Sequence, residues 1–154
     1  MLFNDIGYWL SVKDGDPRAS GLFRRHYSYH DYADGRRNRY GYRNRHLIMG
    51  PGEKLVLLGA DERALFGWRR GSDASQGYCV SCTVFRNEGE QRSSDLIREA
   101  AALAWARWPG ERLVTYVNPR AVQSRNPGYC FLMAGWQKIG ITKWNKLIIL
   151  ERQP

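Results

Sequence analysis

All three histidines of the chain, His26, His30 and His46, and five of its nine tyrosines fall within residues 26–46. Imidazole is the side chain whose unperturbed titration lies near neutral pH, and phenol and imidazole both exchange protons and ligate metals. Such crowding exceeds what a packing face needs. Taken alone, His26 and Tyr27 also read as an amphipathic pair packed through their rings. Arg36, Arg37, Arg39, Arg43 and Arg45 follow, interleaved with Tyr40 and Tyr42. Guanidinium groups there can meet phosphates while the rings stack on a base. Arginine is used at every basic position of residues 18–45, which favours phosphate or base contact over a merely solvated loop. Nucleic acid is the partner class this points to.

A second group is Arg92-Ser93-Ser94, just ahead of an apolar helical pattern. A helix start offers unpaired N–H groups and a positive dipole end, so these residues can hold a phosphate; equally, the serines can simply cap the helix. Cys79-Val80-Ser81-Cys82 has half the form of a zinc site. On a strand, positions three apart point to opposite faces, so both thiols read as buried. Ser28, Ser81 and Ser124 lack a recognisable His/Asp frame, and Gly50-Pro51-Gly52 lacks the Gly-Lys-Ser/Thr of a phosphate-binding loop.

These groups need a frame. The chain has 154 residues, 43% of them hydrophobic, which suits a single domain over 1–154 with a real core. Its net charge is +9, and residues 18–45 hold eight Arg, no Lys and two Asp. That surface favours polyanions. An odd cysteine count and an acidic N-terminal stretch argue for the cytoplasm. The apolar runs are far too short to span a bilayer, so no membrane partner is expected.

The patterning predicts a strand over residues 5–12, a helix from Pro17 to about His30, and a polar loop. Three β-like runs follow, His46 to Met49, Lys54 to Gly59 and Arg63 to Arg70. A central strand is expected from Tyr78 to Arg86, with Tyr78, Val80, Cys82 and Val84 on one side and Cys79, Ser81, Thr83 and Phe85 on the other. The clearest helix runs from Ser94 to Trp108, stopped by Pro109-Gly110. A strand from Arg112 to Val117, a helix opened by Pro127 and running through Met133, and strands from Trp136 to Ile141 and Trp144 to Leu150 complete the order. This is a mixed α/β fold with a mostly antiparallel sheet and flanking helices.

That order, with Asn126-Pro127-Gly128-Tyr129-Cys130-Phe131 leading to Gly135-Trp136, resembles the GNAT fold of N-acetyltransferases. The matching stretch is Tyr78 to Leu150. The resemblance implies that the loop Glu88 to Ser94 grips the pyrophosphate of an acyl-CoA-like donor through Arg92, Ser93 and Ser94, with Asn126 nearby. The family's loop glycines are replaced here by Gln91 and Ser93. Where many members carry a tyrosine acid, this chain has Phe131; Tyr129 is then the substitute, and Phe131 a core residue.

Arg24-Arg25-His26-Tyr27-Ser28, the basic loop and Val114-Thr115-Tyr116-Val117-Asn118-Pro119 are similar to the Mom family of phage DNA-modification proteins. Its members are GNAT-like and place a carbamoylmethyl-type group on adenine, which protects DNA from restriction. The resemblance implies a reaction centre of His26, Tyr27, Ser28 and Asn118 with Tyr129, and an iron site at His26 and Tyr27. Asn118 stands where relatives commonly carry Asp, a better metal ligand. It further implies DNA contact by the Arg36 to Arg45 loop, a small-molecule donor and a phage or prophage origin, and leaves a homodimer open. Two alternatives remain: an acetyl-CoA-dependent N-acetyltransferase acting on a protein or small amine, and a non-catalytic nucleic-acid-binding module.

Overall fold

The longest strand, Gly77–Asn87 (β4), sits at the centre of one seven-stranded sheet in the computed structural model, which describes residues 7–26, 47–50, 52–122 and 125–154. The other strands are Trp9–Val12 (β1), Glu53–Gly59 (β2), Ala64–Asp73 (β3), Leu113–Val117 (β5), Gln137–Ile141 (β6) and Ile148–Arg152 (β7). Their order across the sheet is β1-β2-β3-β4-β5-β7-β6. All neighbours are antiparallel except β4 and β5, which run parallel. The expected mixed α/β class with a mostly antiparallel sheet is therefore found.

Three helices flank the sheet: Pro17–Arg24 (α1), Ser93–Arg107 (α2) and Tyr129–Met133 (α3). The apolar stripe of α2, Leu96, Ile97, Ala100, Ala101 and Ala104, packs with α3 over one face. Trp9, Phe66, Trp68, Val80, Cys82 and Leu113 lie beneath. Trp9 and Trp68 also donate their indole N–H groups to the Leu96 and Ala100 carbonyls, at 2.9 and 3.0 Å. The opposite face of β2 to β4 receives α1 through Ala19 and Leu22, with Ile48 and Met49 beside them. No helix among the described residues is long and apolar enough to cross a membrane.

Four local expectations change. The run His46 to Met49 forms no strand in its described part. The Ile48 and Met49 amides bond the Asp14 carboxylate at 2.7 and 3.2 Å instead of a neighbouring strand. The first helix ends at Arg24, where the Arg25 and His26 amides tighten back onto Leu22 and Phe23. The third helix begins at Tyr129 instead of near Pro127, because Gly128 enters it with φ +82°; a Cβ on Gly128 would meet Leu150 Cδ1 at 2.8 Å. The last strand begins at Ile148, which leaves Trp144 in the turn before it.

The most informative change is in β4. Opposite Gly67 and Trp68 of β3 stand Val84 and Cys82, so Thr83 is an extra residue in the strand. The bulge reverses the alternation beyond it. Val84 packs with α1, whereas Phe85 packs with α2 and α3, opposite to the expected sides. A Cβ at Gly67 would lie 3.1 Å from both Thr83 Oγ1 and Val84 Cγ1, so these side chains would have to shift by a few tenths of an ångström to admit one.

Candidate functional site

The bulge coincides with a parting of strands. β4 and β5 pair only from Val80–Leu113 to Cys82–Thr115, and beyond that point residues 83–87 of β4 have no partner in β5. Thr115 marks the fork: its buried hydroxyl donates to the Cys82 carbonyl at 3.2 Å. The fork opens at the C-terminal end of both strands. Open α/β sheets characteristically bind ligands in such crevices.

One side of the fork receives His26. Leu22 and Phe23 bring the end of α1 down on the sheet, and His26, four and three positions on, continues that face. Its ring N–H donates to the Phe85 carbonyl, in the stretch of β4 released by β5. Burial, aided by the nearby Arg86 cation, pushes the imidazole pKa down to about 4. The ring is neutral at physiological pH, the form that ligates a metal or accepts a proton. Beside it, Glu88 accepts a two-pronged bond from Arg25 at 2.6 and 2.9 Å and another from Arg86. These cations hold the Glu88 carboxyl down at about 2, with Arg25 the larger influence.

The loop from β4 into α2 is ordered by Asn87. Its amide donates to the Gln91 carbonyl at 2.7 Å and to Ser93 Oγ at 3.0 Å, and its oxygen accepts the Gly89 amide at 3.0 Å. Neither serine is the helix cap, contrary to the capping expectation: that position is Arg92, which is exposed and provides no side-chain cap. Ser93 and buried Ser94 thus occupy the first turn, where main-chain N–H groups have no partner within the helix. The arrangement can accept an anion.

On the far side of the fork, Asn118 ends β5. Its Oδ1 accepts the Arg120 amide at 3.0 Å, so the side chain closes the turn that follows. Tyr129 opens α3 and is 54% exposed, whereas Phe131 is 6% exposed. Phe131 packs edge-on against Phe85 and Trp136, with ring centroids 6.0 and 5.0 Å away. Its reading as a core residue holds. Asn126 is exposed and its carbonyl accepts the Tyr129 amide at 3.0 Å.

His26, the loop with Arg92, Ser93 and Ser94, and Asn118 therefore all belong to the same end of the β4–β5 pair. Tyr27, Ser28, Arg36, Arg37, Arg39, Tyr40, Tyr42, Arg43 and Arg45, with His30 and His46, lie outside the described residues. Among the described residues no group of three or more His, Cys, Asp or Glu side chains could hold a metal ion. Of the residues the resemblance assigns to an iron site, His26 is described and Tyr27 is not, and Asn118 Oδ1 accepts the Arg120 amide. Cys79 and Cys82 are buried on opposite faces, as expected, and burial raises both thiol pKa values, Cys82 to about 12.

Sequence reading missed Thr83, Asn87 and Thr115. Two signals were present: Thr115 is the polar residue within the apolar run Leu113 to Val117, and Asn87 stands two residues before Gly89, a spacing suited to an Asx turn. The bulge at Thr83 has no such signal. Comparison of the chain with models of known protein families, with curated proteins and with solved structures finds no match.

Proposed function

We propose that this chain is a GNAT-like group transferase that modifies adenine in DNA, in the manner of the Mom family. The observation that carries the reading is the parting of parallel β4 and β5 at Cys82–Thr115 with the amino end of α2 entering at the same end of the sheet. A crevice of that kind suits a phosphate-bearing donor laid across the sheet edge, its phosphates held by the first amides of α2 with Arg92, Ser93 and Ser94. A donor of the acyl-CoA type would supply the activated group, and Asn126, in the loop before α3, would contact it from the β5 side.

In this reading His26 flanks the reacting base on the β4 side, Tyr27 and Ser28 act with it, and Asn118 and Tyr129 flank the base from β5 and α3. His26 works as a neutral imidazole, fixed by its bond to the Phe85 carbonyl. Tyr129, exposed at the start of α3, is the phenol available to give or take a proton, since buried Phe131 has none to offer. The Arg36 to Arg45 loop holds the DNA.

The test is to express the chain in a bacterium, digest the DNA to nucleosides and measure them by mass spectrometry. A heavier deoxyadenosine, absent with His26→Ala, is expected. An unchanged nucleoside profile from well-expressed, folded protein sinks the reading. Acetyl transfer from acetyl-CoA to amines without any DNA change would favour the conventional N-acetyltransferase instead.

A further inference from the structure

Between Glu111 and Glu151 the sequence contains no acidic residue, yet it holds Arg112, Arg120, Arg125, Lys138, Lys143 and Lys146. The turn joining β6 to β7, residues 142–147, lies in this stretch and carries the most exposed large apolar side chain among the described residues: Trp144 is 84% exposed. The turn is well tied. The Thr142 amide bonds the Leu147 carbonyl and the Leu147 amide bonds Thr142 Oγ1, each at 2.8 Å. Lys146 takes a left-handed conformation with φ +56°, and Lys143 Nζ stands 5.1 Å from the indole centroid.

The turn's position gives it meaning. Val117, the last residue of β5, pairs with Ile148, the first of β7, so the turn projects from the sheet end at which β4 and β5 part. Arg120, just past Asn118, confirms the proximity by donating to the Asn145 carbonyl at 2.9 Å.

From these observations we infer a nucleic-acid contact in addition to the one proposed for Arg36 to Arg45: Trp144 stacks on an unpaired base while Lys143, Lys146 and Arg120 meet the flanking phosphates. A single ring presented on a tied turn among cations suits a base's π-face, and stacking of this kind tolerates any base. Trp144's neighbours in the turn, Thr142, Lys143, Asn145 and Lys146, are polar, which favours a nucleic acid over a lipid surface. The inference rests on the reading of DNA as substrate, and it specifies which form of DNA is gripped: a strand with an unstacked base, as base extrusion would produce next to the fork.

The experiment uses the full chain and fluorescein-labelled oligonucleotides, one single-stranded and one fully paired, with anisotropy read over a range of salt. Trp144→Ala is expected to weaken single-strand binding about tenfold or more, and Trp144→Phe to retain most of it. Paired DNA should lose much less with either variant. Lys143→Ala combined with Lys146→Ala should lower the slope of log affinity against log salt by roughly 1.4 on the single strand, whereas Trp144→Ala should leave it unchanged. Equal single-strand affinity of wild type and Trp144→Ala, or no DNA binding by the wild type, overturns the proposal. So does a loss confined to phosphatidylserine-containing vesicles or to self-association. Nucleoside analysis of the same proteins separates the two readings. Modified DNA with Trp144-independent binding removes this contact alone, and Trp144-dependent binding without modified DNA removes the enzyme and keeps the contact.

Discussion

The two halves of the sheet are held in different ways. β1 to β4 pair antiparallel in sequence order, β2–β3 and β3–β4 as hairpins, with β3 and β4 laddered from Ala64–Asn87 to Asp73–Gly77. β5, β7 and β6 form a second antiparallel group, joined to the first by backbone only at Val80–Leu113 through Cys82–Thr115. Side chains supply the remaining cohesion. Trp68 of β3 stacks on Trp136, just ahead of β6, with centroids 6.2 Å apart and planes 10° off parallel; Phe85 meets Phe131, which meets Trp136. A short seam bridged by buried aromatics can stay open at one end without losing the fold. All the described candidate groups gather at that open end, His26 from one half and Asn118 and Tyr129 from the other.

The largest expected effect comes from breaking the aromatic bridge. Trp68 is fully buried and bonds the Ala100 carbonyl, so Trp68→Ala should cost about 3–5 kcal/mol and be seen as a large fall in the urea midpoint. A midpoint within 1 kcal/mol of wild type would mean that the halves are not coupled through this ring. Acid probes the first half next. The folded-state pKa of His26, about 4, lies below its ordinary 6.5, so the unfolded chain takes up the proton first. Stability should fall between about pH 6.5 and 4, by at most about 3 kcal/mol, with nothing further from this group below that. His26→Gln should flatten this window in a pH series of thermal midpoints. Glu88, held at about 2 against its ordinary 4.5, adds a separate loss as pH falls from 4.5 towards 2, and Glu88→Gln should remove it.

Thr115→Val acts on the seam itself. It leaves the Cys82 carbonyl without its hydroxyl partner, for about 1–2 kcal/mol. Hydrogen exchange should quicken most for β5 amides while the β3–β4 ladder keeps its protection; uniform acceleration would show that the two halves open together. The smallest effect on stability belongs to Tyr129→Phe, within about 0.5 kcal/mol because the side chain is exposed. Nucleoside modification should nevertheless drop sharply if the phenol moves a proton, and unchanged modification would remove Tyr129 from the reaction.

Much of the frame was legible. The 3.6-residue recurrence of Leu96, Ile97, Ala100, Ala101 and Ala104 placed α2 to within a residue or so, and the patterning marked all seven strands, with ends off by up to about four residues. The His46 to Met49 run misled because a short apolar run looks the same whether its amides bond a strand or, as here, the Asp14 carboxylate. Phe131 was readable as core from its place in an apolar helix. The sides of Val84 and Phe85 were not, since strict alternation cannot anticipate an inserted residue.

What the amino-acid sequence determined by itself is local: which segments alternate or recur, where Pro and Gly interrupt them, and that positive charge concentrates around residues 18–45 and again between Glu111 and Glu151. These properties follow from composition and period along the chain. The tertiary structure alone decided that β4 and β5 run parallel yet part after Cys82, that His26 meets Phe85 across the sheet, and that the Trp144 turn shares its end with the fork. Those facts depend on pairing between segments far apart in sequence, and neither the propensity nor the period of either segment records its partner.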